Sequence, residues 1–196
     1  MRFIHTADWH IGKKLHGYDL LEDQRAIIDQ IIAIALEEKA AAIVIAGDLY
    51  DRSVPAVDAV KLLNEKIAEI NLTNELPLLA ISGNHDSPTR LETGSQWFQQ
   101  TRFYLSTSIE QSLHPIEFDD TQFFLLPYFE PIEARLFFDE PLMKISDSVQ
   151  RVIEEMTKHF DSSKKQVLVT HFFVAGSRQT DSETKIQVGG LDSVPT

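Results

Sequence analysis

Gly83-Asn84-His85-Asp86 is a short polar stretch set between a strand signal and a helix signal. Before it runs Leu76-Pro77-Leu78-Leu79-Ala80-Ile81, an apolar run of buried-strand length, and after it comes Ser87-Pro88, a helix-start signal. Strand, tight polar turn and helix therefore follow one another. In an open α/β sheet that junction, at the carboxyl end of a strand, is where ligands collect. Asn84 offers an amide oxygen to a metal, and His85 offers an imidazole that can serve as acid or base. Taken alone, the tetrapeptide reads equally well as a capped polar turn. Similar turns elsewhere in the chain break that tie.

Two of them come earlier. Arg2 to Thr6 reads as a strand and runs into Ala7-Asp8-Trp9-His10-Ile11-Gly12. In an extended segment residues i and i+2 point to one side, so Asp8 and His10 could reach the same ion. Lys13, Lys14 and His16 follow in a polar loop of solvated charge. From Leu20 to Lys39 the residues Ile27, Ile28, Ile31, Ile32 and Leu36 fall at helical spacing. Ala41 to Ala46 is a compact strand ending in Gly47-Asp48-Leu49-Tyr50-Asp51-Arg52, with Asp48 at the strand end and Asp51 a turn further on. Pro55 opens a second helix, Ala56 to Ile70, apolar on a front wide enough to meet a second surface besides the sheet.

The remainder is read more coarsely. A helix through Trp97-Phe98 follows the central turn, and Phe103 to Leu105 and Gln122 to Leu126 read as strands. Pro127, Pro131 and Pro141 divide the next region into short pieces. Ile145 to Phe160 is a helix, and Gln166 to Thr170 is a last apolar strand that delivers His171. The tail from Gly176 to Thr196, rich in Gly, Ser, Thr and Asp, reads as a loop.

A chain of 196 residues with 43% hydrophobic and 24% charged residues has a globular composition and the size of one domain. No apolar run reaches membrane-spanning length, and Met1-Arg2-Phe3-Ile4-His5 enters a strand pattern without signal-peptide architecture. A soluble cytoplasmic protein is expected. The absence of cysteine removes disulfides and thiolate metal sites, leaving oxygen and imidazole donors. A net charge of −12 weighs against a simple nucleic-acid-binding module. It leaves room for a nuclease, because bound divalent cations alter the field that a phosphate meets.

Four strand ends thus carry Asp8 and His10, then Asp48 and Asp51, then Asn84 and His85, then His171. If the strands are parallel, as βα alternation favours, these ends share one edge of the sheet and converge. A mixed Asp, Asn and His set suits manganese or iron, with zinc a further option. Two ions bridged by one carboxylate, ~3.5–4 Å apart, would activate a water and clamp a phosphoryl group in line.

Asp8-Trp9-His10, Gly47-Asp48-x-x-Asp51, Gly83-Asn84-His85-Asp86 and the strand-borne His171 resemble the successive motifs of the calcineurin-like metallophosphoesterase superfamily. His5 to Gly12, Ala46 to Asp51 and Gly189-Gly190-Leu191-Asp192-Ser193-Val194-Pro195 narrow the likeness to the nuclease subunits of double-strand-break repair complexes. The resemblance implies an α/β fold, a β-sandwich flanked by helices, and a nuclease working with two divalent ions, Mn2+ favoured. It implies that Asp8 and His10 hold one ion, that Asn84 and His171 hold the other, and that Asp48 bridges both. His85 would act on the phosphate or leaving oxygen without binding metal, oriented by the Asp51 side chain.

DNA, a large ATPase subunit and a second copy of the chain are the partners it implies. The family dimerises through helices flanking the second and third motifs, here Val57 to Ile70 and Arg90 to Phe103. It also places a Gly-His-x-His motif, a cap and partner-binding helices after the Gly-Gly-Leu-Asp-x-Val-Pro segment. The sequence is therefore expected to be a nuclease domain lacking its last strands, with weak metal binding of its own. Alternatives are a phosphoesterase acting on small phosphoesters and an inactive assembly module.

Overall fold

The computed structural model describes residues 1–173. In chain order the elements are β1 (Ile4–Thr6), β2 (Lys14–Leu15), β3 (Tyr18–Asp19), α1 (Leu21–Glu37), β4 (Ile43–Ala46), α2 (Val57–Ala68) and β5 (Leu78–Ile81). There follow α3 (Pro88–Leu91), α4 (Ser95–Phe98), β6 (Phe103–Ser106), α5 (Ile109–Ser112), β7 (Ile116–Phe118) and β8 (Thr121–Leu126). The last are α6 (Pro131–Phe138), α7 (Ile145–Thr157) and β9 (Lys165–Thr170).

The first sheet has the order β1-β4-β5-β6, parallel throughout. Its registers pair Thr6 with Ile45, Ala46 with Ile81, and Ile81 with Ser106, so the strands end together and their loops leave from one edge. The second sheet has the order β7-β8-β9, with β8 parallel to β9 and Leu126 level with Thr170. His171 therefore arrives from a different sheet than Asp8, Asp48 and Asn84, and the single-edge reading is corrected to two sheets that face each other.

Side-chain alternation explains the layering. In β4 and β5 every residue is buried, because both faces are covered. Ile43, Ile45, Leu78 and Ala80 pack against Ile28, Ile32 and Ala35 of α1 and Leu62 and Leu63 of α2. Val44, Leu79 and Ile81 turn the other way, onto Phe123, Leu125 and Val169 of the second sheet. The intervening residues of β8, Phe124 and Leu126, face outward onto Val149, Val152 and Met156 of α7. Helices, sheet, sheet and helices form four layers.

Local differences from the sequence reading have local causes. The helix expected through Trp97-Phe98 is broken into α3 and α4 at Gly94, whose φ is 86°. Pro131 starts α6 instead of breaking the chain, held by reciprocal bonds between Glu130 and Glu133 at the helix entry. The loop expected after Gly12 contains the small hairpin β2–β3. The expected tail loop and the Gly189 to Pro195 segment lie outside the described residues.

Candidate metal centre

The loop after β1 is laced to the loop after β4. The Asp8 amide donates to the Gly47 carbonyl (3.1 Å), His10 to Asp48 (2.9 Å) and Ile11 to Leu49 (3.0 Å). These bonds impose left-handed backbone on Asp8 (φ 56°), His10 (φ 43°) and Asp48 (φ 52°). The extended i, i+2 geometry expected of Asp8 and His10 does not occur. Their two left-handed turns bring the side chains together instead, with His10 Nε2 3.5 Å from Asp8 Oδ1. A non-glycine residue costs ~1–2 kcal/mol in that conformation, so three candidate ligands are held against local preference by their surroundings.

Asp48 is buried at the centre. Its Oδ1 accepts from the His85 amide (2.9 Å), while Oδ2 lies 3.5 Å from His10 Nε2 and 3.4 Å from His171 Nε2. The backbone must come close to achieve this: a Cβ on Gly83 would collide with the Asp48 carboxylate and amide. Burial alone would raise the Asp48 pKa, but the hydrogen bond and charge of His171, with the His85 amide, outweigh it and hold the carboxylate below its usual range. For His171 burial opposes protonation; Asp48 and the Ala46 carbonyl prevail and raise it.

His171 Nδ1 donates to the Ala46 carbonyl (2.7 Å). Its Nε2 then faces Asp48 Oδ2 and, at 3.1 Å, Asn84 Oδ1, two acceptors. Either a second ring proton or a cation must sit among these lone pairs. His10 Nε2 also faces two carboxylates, and its buried Nδ1 has no hydrogen-bond partner. Separations of 3.1–3.5 Å between donors suit a shared ion, since two ligands ~2.1 Å from one metal stand ~3.0–3.4 Å apart. Ligand atoms of Asp8, Asp48 and His171 lie within 4.8 Å of one another, as do those of His10, Asp51 and His85. The residues present therefore fit divalent metal, with an oxygen-and-imidazole donor set.

His85 lies edge-on to His10, ring centroids 4.8 Å apart. Asp51 does contact it, but through the backbone: the Asp51 carbonyl is 2.9 Å from His85 Nδ1. The Asp51 carboxylate instead lies 3.6 Å from His10 Nδ1 and 3.7 Å from Arg52 Nε.

Residues 1–187 match the family model described as calcineurin-like phosphoesterase. The chain belongs to that family. It is also 39% identical over 195 residues to the SbcD subunit of the nuclease SbcCD of Staphylococcus epidermidis, covering 99% of this chain and 52% of that relative. The chain thus spans about half the length of the curated relative it matches.

Two residues that brace this candidate site escaped the sequence reading. Asp86, buried, receives three amides: Leu49 (3.0 Å) and Gly83 (3.0 Å) on Oδ2, and Tyr50 (2.9 Å) on Oδ1. It ties the Asp48 loop to the Asn84 loop. Burial raises its pKa despite those donors. An acidic residue closing the Gly-Asn-His turn was the available signal. Gln24, in the first turn of α1, bonds the backbone of Trp9, His10 and Gly12, and nothing in its sequence surroundings marks it.

Proposed function

We propose that this chain is the catalytic portion of an SbcD-like, metal-dependent DNA nuclease that hydrolyses phosphodiester bonds with two divalent cations, manganese favoured. The observation that carries the reading is the convergence of Asp8, His10, Asn84 and His171 on the buried Asp48 carboxylate, from loops of two sheets. In this reading Asp8 and His10 hold one ion, Asn84 and His171 the other, and Asp48 lies between them. Such ions, when bound, supply an activated water and neutralise charge on the phosphoryl oxygens.

The chain's own groups then have defined tasks. Nδ1 of His171 is committed to the Ala46 carbonyl, which fixes Nε2 toward the ligand set. Nδ1 of His85 is committed to the Asp51 carbonyl, which leaves Nε2 for a phosphate or leaving oxygen. In this reading, which follows the family resemblance, the ring acts as an acid and does not itself ligate metal. Similarity to a component of SbcCD supports DNA as substrate and an SbcC-like ATPase as partner. Exposed Val54, Val57 and Trp97, beside or within the regions that the resemblance assigns to dimerisation, support a homodimer. No described helix is long and apolar enough to cross a membrane, in keeping with a cytoplasmic setting.

His85→Ala tests the site. In a version of the chain extended to the relative's length, the substitution is expected to lower Mn2+-dependent cleavage of duplex DNA by at least ~10²-fold with metal content unchanged. Loss of metal along with activity would instead make His85 a ligand, as its proximity to His10 and Asp51 allows. Cleavage of small phosphoesters but not DNA would move the assignment to another branch of the family.

A further inference from the structure

We infer that Gln24 is a positioning residue for the ion held by Asp8 and His10, an inference that rests on the metal reading above. The Gln24 amide inserts into the loop that carries both ligands. Its Nε2 donates to the Trp9 carbonyl (3.0 Å) and the His10 carbonyl (2.7 Å), and its Oε1 accepts from the Gly12 amide (3.0 Å). Three backbone groups of one short loop bond a single side chain reaching back from the first turn of α1, the His10 carbonyl also accepting from the Lys13 amide (3.0 Å).

The chemistry is specific to an amide. Two carbonyls need a donor with two hydrogens, and one amide N–H needs an acceptor, which a primary carboxamide supplies from its two ends. A glutamate of the same shape would set an oxygen against two carbonyl oxygens. A leucine would leave all three groups without this partner. The loop also requires such a brace, because Asp8, His10 and Gly12 have φ values of 56°, 43° and 91°. With the left-handed turns in place, the carbonyls of residues 9 and 10 point at a common donor. Gln24 therefore fixes where the His10 imidazole stands relative to Asp8 and Asp48, without touching either carboxylate.

A brace of this kind, one step removed from the metal, changes affinity by ~10–100-fold when lost. The effect should be selective. Asn84 and His171 come from other loops, fixed by the Asp86 carboxylate and the Ala46 carbonyl, which Gln24 does not contact.

The test uses Mn2+ alone as probe, on the chain extended to the relative's length, with free ion counted by electron paramagnetic resonance. Gln24→Glu, Gln24→Leu and the exposed control Gln30→Ala are compared, and circular dichroism melts of the metal-free proteins verify that each is folded. The expected result is two-step uptake by the wild type, with one step weakened at least ~10-fold in both Gln24 variants, the other step kept, and no change in the control. The His10 imidazole resonances of the metal-free Gln24 variants should also shift, while those of His171 stay. Two-step uptake that both Gln24 variants leave unaltered overturns the inference alone. A wild type that takes up no Mn2+ overturns the metal reading and this inference together. Should Gln24→Leu fail to fold, the near-isosteric Gln24→Glu decides the outcome by the same readouts.

Discussion

Gly47 shows how little freedom single residues have at this site. Its φ is 89°, and a Cβ there would run into the His171 ring. Gly47→Ala should therefore combine left-handed strain of ~1–2 kcal/mol with overpacking of ~1–3 kcal/mol. A total of ~2–5 kcal/mol would lower the melting temperature of the metal-free protein by roughly 4–20 °C. A melt within about 2 °C of wild type would show that the ring is free to move aside. At this scale the sequence disclosed residue types and not conformations. Asp8, His10, Asp48, Asn84 and His171 were legible as candidate donors because their chemistry is carried by the side chain. The left-handed backbone that aims three of them was not legible, since it arises from bonds to a neighbouring loop. The resemblance implied that the Asp51 side chain orients His85, whereas the contact runs through the Asp51 carbonyl, which any residue type would provide.

Among the elements, α1 and α2 are joined by Lys66, whose buried side chain is bonded to Asp29 of α1 and, at 2.6 Å, to Glu69 beyond the end of α2. Burial favours the neutral amine, but the two carboxylates outweigh it and raise Lys66 above the ordinary lysine range. A raised folded-state pKa contributes stability that is complete below the unfolded lysine value and is lost as pH rises through the folded one. The wild type should accordingly lose stability above about pH 10.5, and Lys66→Met should flatten that alkaline limb. At neutral pH the same substitution should cost ~1–2 kcal/mol, because the carboxylates it leaves are partly solvated. Chemical denaturation at pH 7 and pH 11 reads both effects; parallel losses in the two proteins would contradict the assignment. The long elements were legible because periodicity is strong in α1, α2 and α7. The β2–β3 hairpin was not, with two-residue strands around a His16-Gly17 turn whose φ values are 50° and 87°.

Over the whole molecule, the site depends on two sheets meeting. Ile43-Val44-Ile45-Ala46 and Val167-Leu168-Val169 both read as apolar strands, and periodicity could not say that they belong to different sheets. Only the resemblance implied the sandwich. The packing of Phe123, Leu125 and Val169 onto Val44, Leu79 and Ile81 sets His171 against Asp48. In the proposed function this convergence holds two divalent ions on either side of one carboxylate. Crystals of the chain extended to the relative's length, soaked in Mn2+ and measured at the manganese absorption edge, test it. Two anomalous peaks ~3.5–4 Å apart flanking Asp48 are expected, one beside Asp8 and His10 and the other beside Asn84 and His171. A single peak, peaks elsewhere, or none at saturating Mn2+ would contradict it.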